Sequence, residues 1–337
     1  MIIVLKPKTT KRQETAVLRE IKRLGYEPHV MRGVARVVIG AIGDERDKPS
    51  LEALTTWTQV ESVTPVQKKF KLVSREAHPK NSTVSVRRHV IGGKKFHVMA
   101  GPCSVENERQ LMETAIGVKK AGATILRGGA FKPRSSPYDF QGLGKAGLKL
   151  LAKARKETGL PIITELLAEN HADMVAEYAD ILQIGTRNSQ NFKLLIAAAK
   201  TGKPVLLKRG MSMLIKEWLL AGEYILANEN PNLLFCERGI RTFENYTRNT
   251  LDLSAVTAIK QESHCPVVVD PSQGCGRASL VTDLCKGAAA VGADALLIEV
   301  HPNPAEALSD NAQQITLDGF KNLMREIKPF IKAAGRS

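Results

Sequence analysis

The sequence predicts a closed barrel of eight parallel β-strands and eight helices, a (β/α)8 or TIM barrel, preceded by a small ferredoxin-like α+β domain. From residue 97 onward, short apolar runs alternate with helical patterns at regular intervals. Eight such units in about 240 residues match the size and strand–helix order of this barrel. The first 65 residues follow a different order of elements, which indicates a separate domain. A doubly wound open sheet is the alternative architecture for the larger segment.

The first segment has the element order of a ferredoxin-like fold. Its predicted elements are the strand Ile2–Leu5, the helix Lys11–Leu24, the strands Glu27–Met31 and Ala35–Ile39, the short helix Ser50–Thr55 and the strand Val60–Val63. The long helix is predicted from apolar residues at helical spacing, and Gly25 ends it. This order is the ferredoxin-like one. We therefore expect a domain over residues 1–66, and the polar, basic stretch that follows predicts a linker over 67–85.

Residues 86–337 are predicted to form the barrel, after a short hairpin that turns around Gly92-Gly93. The eight predicted strands are 97–101, 123–128, 161–165, 180–185, 204–208, 233–237, 266–270 and 295–300. The helices between them include Asn107–Ala121, Leu143–Thr158, Asn191–Lys200, Ser212–Ala227 and Ala278–Val291, and Leu317 opens the last helix.

Composition argues against several classes of protein. The net charge is +15, but Lys and Arg are spread along the chain and aromatic residues make up only 5%, which argues against nucleic-acid binding. A basic protein can instead concentrate small anionic substrates in a positive cleft. No apolar run approaches the roughly 20 residues of a membrane span. The first residues lack the charged region of a secretory signal, so we expect a cytoplasmic location.

The five cysteines predict free thiols. They are odd in number and scattered, without a C-x-x-C pair, which is not the pattern of a disulfide framework or a structural zinc site. They are Cys103, Cys236, Cys265, Cys275 and Cys285.

Polar or charged residues lie at the C-terminal ends of nearly all predicted barrel strands. They are Cys103 after Gly101-Pro102, Arg127, Glu165, Arg187, Lys208, Glu237-Arg238, Asp270 and Glu299. A strand buried on both faces stays apolar to its end if packing is its only role. Charge at these ends therefore predicts the catalytic face of the barrel, where several strands contribute side chains.

Six cations are expected to converge on this face. They are Arg127, Lys132, Arg134, Arg187, Lys208 and Arg238. Such charges repel one another in an empty pocket, and Arg and Lys both bind phosphate and carboxylate oxygens. We therefore expect polyanionic ligands; two phosphorylated substrates, one of them also a carboxylate, would satisfy these charges. The alternative is that some cations only form ion pairs at the barrel rim with Glu165, Glu237 or Asp270.

A second expected group contains Cys103, Glu299 and Asp310. The first and eighth strands are neighbours in a closed barrel, and Asp310 lies in the loop after the eighth. A thiolate with two carboxylates suits a divalent transition ion, and an open position makes such a site catalytic. From spacing alone, an ordinary buried thiol at Cys103 is the competing interpretation.

Seven stretches of the chain resemble 3-deoxy-D-arabino-heptulosonate-7-phosphate (DAHP) synthase, in its shorter type with an N-terminal ferredoxin-like domain. They are MAGPCSVE (99–106), LRGGAFKPRSSPYDFQG (126–142), IGTRNSQNF (184–192), LLKRGM (206–211), FCERGIRTFENYTRNTLD (235–252), VVVDPSQGCGR (267–277) and IEVHPNPAEALSDNAQQ (298–314). The resemblance covers almost the whole chain.

The resemblance implies the first step of the shikimate pathway, which leads to the aromatic amino acids. Phosphoenolpyruvate adds through its C3 to the aldehyde carbon of erythrose 4-phosphate, water enters at C2, and inorganic phosphate leaves. By resemblance, five residues hold phosphoenolpyruvate, and two hold the phosphate of the sugar. The first set is Arg127, Lys132, Arg187, Lys208 and Arg238; the second is Arg134 and Ser135.

The resemblance also implies the remaining roles and partners. Lys132, Cys103 and Glu299 are expected to be catalytic, and Glu165 is expected to bind substrate. A divalent ion (manganese, zinc, cobalt or iron) is expected to polarise the aldehyde oxygen. The ferredoxin-like domain is expected to bind tyrosine or phenylalanine as a feedback inhibitor and to close off the active face. Family members are usually homotetramers.

Two positions separate this chain from related patterns. The sister enzyme that makes 3-deoxy-manno-octulosonate 8-phosphate carries Asn between the Lys and the Arg-Ser-Ser, where this chain has Pro133, and this favours the four-carbon sugar. The family pattern Asp-Pro-Ser-His provides the fourth metal ligand, but here the His is Gln273. The ligand set then becomes Cys103, Gln273, Glu299 and Asp310.

The glutamine leaves three interpretations open. Its amide oxygen, a weaker ligand than imidazole for zinc or iron, still binds a metal and favours manganese. Alternatively His301, two residues after Glu299, replaces the missing ligand if the strand continues. In the third, the barrel is catalytically impaired and serves as an aromatic-sensing or scaffold protein. Because the substrate cations are all present, we expect activity to be retained.

Overall fold

The N-terminal unit is a four-stranded antiparallel sheet with helices on one face. The computed structural model describes residues 1–33, 36–43, 48–64 and 70–337. The elements of this unit are β1 (Ile2–Leu5), α1 (Lys11–Arg23), β2 (Glu27–Arg32), β3 (Val37–Ile42), a 3-10 helix (Leu51–Thr56) and β4 (Val60–Thr64). The sheet order β2-β3-β1-β4 is that of a ferredoxin-like fold, as predicted. Ala35, the predicted start of the third strand, lies outside the described residues.

Local sequence explains the elements of this unit. Thr10 caps α1, and the Gln13 side chain reaches back to the Thr10 backbone in a capping box. Leu24 follows the last helical residue, and Gly25 then adopts a positive φ of 86°. The apolar side chains of α1 and of alternate strand positions form one core. The predicted helix after β3 is a 3-10 helix instead, capped by Ser50.

The second unit, Phe70–Ser337, contains a closed barrel of eight parallel strands, so the predicted fold class is confirmed. Its strands are β7 (His97–Gly101), β8 (Ile125–Arg127), β9 (Ile162–Leu166), β10 (Ile181–Ile184), β11 (Val205–Lys208), β12 (Leu233–Glu237), β13 (Val267–Val269) and β14 (Ala295–Glu299). They follow one another around the ring in chain order, and β14 pairs with β7 to close it. The open sheet that we kept as an alternative is excluded.

Helices surround this ring and cover its outer face. They are α2 (Glu108–Ala121), α3 (Lys145–Thr158), α4 (Ala172–Tyr178), α5 (Phe192–Lys200), α6 (Ile215–Leu226), α7 (Leu253–Glu262), α8 (Pro271–Cys275), α9 (Ala278–Ala290), α10 (Leu317–Glu326) and α11 (Lys328–Ala333). Their buried faces and the outward-facing strand residues form the largest apolar core. Within the described residues, no helix has both the length and the hydropathy needed to cross a bilayer.

The predicted hairpin forms, but its turn is not at Gly92-Gly93. Its strands are β5 (Val84–Val86) and β6 (His89–Ile91), and they pair across a turn in which Arg87 has a φ of 51°. Gly92 follows the hairpin with a φ of 92°, at a place where a Cβ atom would lie 2.7 Å from the Ser82 carbonyl oxygen. The glycine therefore permits a close backbone approach rather than the turn. Apolar hairpin side chains join the core inside the N-terminal end of the barrel.

The stretch that we predicted as a linker is in large part packed on the barrel. Residues 67–69 lie outside the described residues, whereas Phe70 and Val73 are buried in the barrel core. The Glu223 carboxylate accepts three backbone N–H groups, from Lys71, Leu72 and Val73, at 2.8–3.0 Å. The prediction failed there because these backbone contacts leave no periodic pattern in the sequence.

A buried histidine lies where the hairpin meets the first barrel strand. The imidazole of His97 is fully buried, its Nε2 donates to the Val90 carbonyl oxygen at 3.0 Å, and Nδ1 lies 3.2 Å from the Thr124 hydroxyl. Burial lowers the pKa of His97 to about 4, and the nearby His89, Lys95 and Arg336 act in the same direction. The folded protein therefore holds this imidazole neutral.

We predict that His97 makes the protein less stable as the pH falls from about 6.5 to about 4. The pKa of His97 is lower in the folded chain than in the unfolded one. Its contribution to the free energy of unfolding is therefore complete above pH 6.5 and is lost as the pH falls to about 4. The loss reaches about 3 kcal/mol. Urea unfolding of the wild type and of His97→Gln, each at pH 7 and pH 4.5, measures this loss. The other histidines contribute equally in both proteins, so the difference between the two pH dependences belongs to His97. An unchanged pH dependence in the variant would contradict the assignment.

Candidate active site

The C-terminal ends of the barrel strands surround a polar cavity of about 290 Å³. Eight of its lining side chains are cationic and only three are carboxylates. The cations are Arg127, Lys132, Arg134, Arg187, Lys208, Arg238, Arg241 and Arg248, and the carboxylates are Asp139, Glu165 and Asp310. All six predicted cations therefore line one cavity, together with two that sequence analysis did not single out. This excess of positive charge favours ligands with several negative charges.

Two of these arginines have buried donors that no described residue accepts from. The Nε atoms of Arg127 and Arg238 are buried and lack a hydrogen-bond partner in the described part of the chain. Arg127 also donates from a terminal nitrogen to Glu299 at 2.8 Å, and Arg238 makes no salt bridge with a described residue. Burial lowers the pKa of Arg238 from its ordinary value. Because a buried unpaired donor is costly, these atoms indicate positions for acceptor oxygens of a ligand.

The alternative of rim ion pairs holds for some of the charges. Lys208 donates to Asp270 at 2.6 Å, and both side chains are buried. Glu237 pairs with Arg209 at 3.0 Å, and Arg209 also contacts Asp252 at 2.8 Å. Arg209 does not line the cavity, so this buried group is structural. Lys208 differs because it lines the cavity as well as pairing with Asp270.

The residues predicted for the sugar phosphate lie at a more open part of the cavity. Arg134 pairs with the exposed Asp139 at 3.1 Å, and the Ser135 hydroxyl accepts from Arg187 at 3.3 Å. Glu165 accepts from Gln183 at 3.1 Å. Gly185 makes room for that carboxylate, since a Cβ atom there would lie 1.9 Å from a Glu165 oxygen.

The structure brings Cys103, Glu299 and Asp310 together. One possible ligand atom from each lies within 4.8 Å of the others. The Cys103 thiol donates to Asp310 at 3.1 Å, and the Lys132 ammonium donates to the Cys103 sulfur at 2.9 Å. Cys103 and Glu299 are fully buried behind the cavity, whereas Asp310 and Lys132 line it. A thiol and two carboxylates at this spacing are suited to a divalent transition ion with positions left for substrate.

Burial and neighbouring charges set the protonation of this cluster. Burial, with the Glu299 carboxylate adding to it, raises the pKa of the Cys103 thiol to about 12. Burial alone would lower the pKa of Lys132, but the nearby Cys103, Glu299 and Asp310 raise it above its ordinary value. Burial opposes ionisation of Asp310, yet Lys132 and Arg248 lower its pKa below the usual range. Lys132 is therefore a protonated donor that faces the cavity.

Gln273 lies beside the same cluster and presents its amide nitrogen to it. Nε2 donates to Glu299 at 3.0 Å and to Asp310 at 3.3 Å, while Oε1 lies 3.5 Å from Arg238. The amide is thus in reach of both carboxylates. The opposite amide orientation would bring its oxygen to the cluster as a neutral ligand.

His301 does not lie with the cluster, so the interpretation in which it replaces the missing histidine is wrong. The barrel strand ends at Glu299 rather than continuing. The His301 ring then contacts Glu106, with Nε2 3.5 Å from that carboxylate, and its Nδ1 accepts the Asn303 N–H at 3.0 Å. His301 is not among the described residues that could bind an ion with Cys103.

Sequence analysis missed several residues of the site. Arg248 bridges Asp310 and Gln313 at 3.0 Å each, and Gln313 donates to Glu299 at 2.6 Å. Arg241 and Asn249 line the cavity from the same long loop after β12. These residues stand inside two of the resembling stretches, but they are not at strand ends, where we looked for function. All five cysteines are buried, and none forms a disulfide, as their scattered spacing predicted.

The strand ends thus define a class of protein: a barrel enzyme acting on small phosphorylated or carboxylated molecules. Comparison with known families identifies the member of that class. Residues 75–333 match the DAHP synthetase I family, and residues 1–68 match the DAHP synthase ferredoxin-like domain. The chain belongs to the DAHP synthetase I family.

Individual relatives agree with this assignment. The phospho-2-dehydro-3-deoxyheptonate aldolase of Thermotoga maritima is 49% identical, with 99% of each chain covered. A crystal structure of the T. maritima DAHP synthase covers 100% of this chain and 98% of its own at 47% identity, with a TM-score of 0.95. The 2-dehydro-3-deoxyphosphooctonate aldolase of Fusobacterium nucleatum is 33% identical, over 74% of this chain and 96% of its own. The heptonate enzyme thus matches the chain over both units.

Proposed function

We propose that this protein condenses phosphoenolpyruvate with erythrose 4-phosphate and water to give DAHP and inorganic phosphate. The observation that carries the proposal is the cavity in which the buried Nε atoms of Arg127 and Arg238 have no partner among the described residues. Membership of the family and similarity to the T. maritima enzyme over both units support these substrates. Pro133, rather than asparagine, supports the four-carbon sugar over its five-carbon counterpart.

Residue roles follow from charge and burial. Arg127, Lys208 and Arg238 form the buried end of the cavity and hold the phosphate and carboxylate of phosphoenolpyruvate. Lys132 lies between that end and the cluster, and Arg187 adds a further cation. Arg134 and Ser135, at the open end, hold the phosphate of the sugar. Holding both substrates in one cavity removes much of the entropic barrier to their reaction.

The reaction forms a bond between C3 of phosphoenolpyruvate and the aldehyde carbon. The aldehyde oxygen gains negative charge as that bond forms, and the protonated Nζ of Lys132 is placed to donate a proton to it. Water then adds at C2 and gives up one proton, which restores the ammonium of Lys132. The C2–O bond to phosphate breaks as the new C2 hydroxyl becomes the ketone, and its proton leaves with the phosphate. Glu165 lines the cavity and accepts a hydrogen bond from Gln183. The six cations stabilise the negative charge of the reactants and of the leaving phosphate.

We propose that Cys103, Glu299 and Asp310 hold a divalent ion, with Gln273 as a fourth, weaker ligand through its amide oxygen. The closeness of the ligand atoms supports this set. When bound, such an ion supplies Lewis-acid polarisation of the aldehyde oxygen. Replacing imidazole by a carboxamide favours manganese, which accepts oxygen ligands, over zinc. A catalytically impaired scaffold protein is the less favoured alternative, because the substrate cations all remain in the cavity.

We predict that the purified protein forms DAHP, fastest with manganese, and that chelation lowers the rate. The assay follows product formation with manganese, cobalt and zinc, before and after chelation. Lys132→Met serves as the inactive control, with kcat at least about 100-fold lower because a general acid contributes about that much. Absence of product with every ion, in protein that circular dichroism shows to be folded, would favour the scaffold alternative.

We predict that Gln273→His raises the affinity for zinc or cobalt by at least about 10-fold, because imidazole nitrogen is a better ligand for these ions than a carboxamide. Isothermal titration of the metal-free proteins measures the two dissociation constants. Gln273→Leu, which offers no ligand atom, is the matched control and should bind no more tightly than the wild type. Equal affinities in wild type and Gln273→His would mean that residue 273 does not reach the ion.

We propose that the ferredoxin-like unit, over residues 1–66, binds tyrosine or phenylalanine and regulates the barrel. Its separate core supports an independent domain, and the barrel carries every site residue named above. The solved truncated form of the T. maritima enzyme, which covers 80% of this chain with a TM-score of 0.75, supports a barrel that stands without this unit. By resemblance, the assembly is a homotetramer in the cytoplasm.

Deleting residues 1–66 should abolish inhibition by tyrosine or phenylalanine and leave kcat within about threefold, since the deleted unit carries no site residue. Initial rates at increasing amino acid concentration, for the full chain and the truncated one, measure this. Inhibition of the same strength in both chains would place the effector site on the barrel.

A further inference from the structure

Two loops at the catalytic face carry the groups that must meet at the cluster. Cys103 follows β7 directly, in the loop that leads to α2. Asp310 lies well beyond the end of β14 along the chain, within a long loop whose base is closed by the pairing of Val300 with Ile315. Asp310 itself has a φ of 48°, a left-handed conformation that costs a non-glycine residue about 1 kcal/mol. The position of its carboxylate therefore depends on what holds this loop.

The side chain of Gln314 joins the two loops. Its Oε1 accepts the backbone N–H of Cys103 at 3.0 Å, and its Nε2 donates to the carbonyl oxygen of Ser309 at 2.8 Å. Gln314 is 1% exposed and does not line the cavity. One planar amide thus connects the backbone of Cys103 to the residue before Asp310.

We propose that Gln314 is a positioning residue that sets the separation between Cys103 and Asp310. Both of its hydrogen bonds are to backbone groups on either side of the pair, so it acts through the backbone. The 3.1 Å contact between the Cys103 sulfur and Asp310 is the distance that it holds. The inference rests on the proposed function only in taking these two side chains as part of the reacting site.

Other contacts between the loops do not duplicate this connection. The hydroxyls of Ser104 and Ser309 lie 2.7 Å apart, and Glu106 accepts the Leu308 N–H at 2.9 Å. A hydroxyl pair, in which either oxygen can be the donor, leaves more rotational freedom than a planar amide with both ends bonded. Neither contact involves the backbone N–H of Cys103. Loss of Gln314 would therefore remove the hydrogen bond that holds the Cys103 backbone, even with these contacts and the side-chain bonds of Arg248 and Gln273 to Asp310 intact.

The test compares wild type with Gln314→Met, which has similar length, cannot donate to Ser309 and offers the Cys103 N–H only a weak sulfur acceptor. We expect kcat to fall about 10–100-fold, the usual effect of losing a group that orients a ligand. The KM for phosphoenolpyruvate should change less than about threefold, because the cations that bind it are untouched. Cobalt, as a probe, should bind about 10–100-fold more weakly, with a weaker sulfur-to-cobalt absorption band. Gln314→Glu, which keeps the acceptor and loses the donor, should be intermediate and is the fallback if Gln314→Met does not fold.

Asn230 provides a matched control at the opposite end of the barrel. It is also a buried amide, and its Nδ2 donates to the carbonyl oxygens of Ala199 and Lys203 at 3.1 and 2.8 Å. Asn230→Leu should lower the melting temperature as much as Gln314→Met while leaving kcat and cobalt binding unchanged. An equal loss of kcat in both variants would show a general effect of stability and overturn the proposal.

Crystal structures of wild type and Gln314→Met test the proposed role of Gln314 independently of activity. Loss of the contact between the Cys103 sulfur and Asp310 supports the proposal, and retention of that contact overturns it, whether or not wild type binds cobalt. Wild-type kcat and cobalt affinity in Gln314→Met would overturn it as well. If wild type forms no DAHP, the proposed function fails, but the crystallographic result still tests Gln314 by itself.

Discussion

The pairing of β14 with β7 is the constraint on which the reacting site depends. It closes the ring and aligns Glu299 with Gly101, so the chain that continues to Cys103 begins beside the Glu299 carboxylate. On its other side, Gly101 permits the close approach of β7 to β8, since a Cβ atom there would lie 2.0 Å from the Arg127 carbonyl oxygen. Arg127 in turn bridges to Glu299 across the closed edge. In an open sheet the first and last strands would lie far apart, and no cluster would form.

Closing the barrel also brings many charged side chains together at the ends of its strands. The cations among them fall into two groups. Some cations are neutralised at once by buried carboxylates, as Arg209 is by Glu237 and Asp252. Removing one partner of such a pair would leave the other charge buried and unpaired, so these pairs stabilise only as complete units. Other cations line the cavity without a carboxylate partner among the described residues, as Arg238 does, whose buried Nε also lacks an acceptor there. The first group therefore contributes to the stability of the barrel, and the second leaves positive charge available to an anionic ligand.

Sequence analysis could predict the parts of this protein that repeat. Apolar strands and amphipathic helices recur along the chain, so the barrel, its strand order and the charged strand ends were predictable. Parts that depend on single long-range contacts were not. The linker prediction failed at residues 71–73 because the Glu223 carboxylate accepts their backbone N–H groups from 150–152 residues away. Arg248 and Gln314 were missed for the same reason, since their partners lie in other loops.

The predictions for His301 and for the hairpin turn were wrong for a different reason. Both predictions assumed that a pattern continued through a point where the chain changes direction. The strand stops at Glu299, and the His301 ring lies against Glu106 rather than beside the cluster. At the hairpin, Arg87 takes the left-handed conformation that a glycine usually provides. A one-residue change in direction carries little sequence signal, although it decides which side chains meet.

Gln273 contacts two of the possible metal ligands and also lines the cavity at the strand ends. Its N–H groups satisfy the Glu299 and Asp310 carboxylates, so the cluster is hydrogen-bonded by protein groups alone. A histidine at the same position offers only one ring N–H in its neutral form and cannot donate to both carboxylates from a single nitrogen. Glutamine at this position therefore stabilises the carboxylates of the cluster through two hydrogen bonds that a neutral histidine cannot supply together. The cations that line the cavity belong to other strands and loops, so the identity of residue 273 leaves their number unchanged.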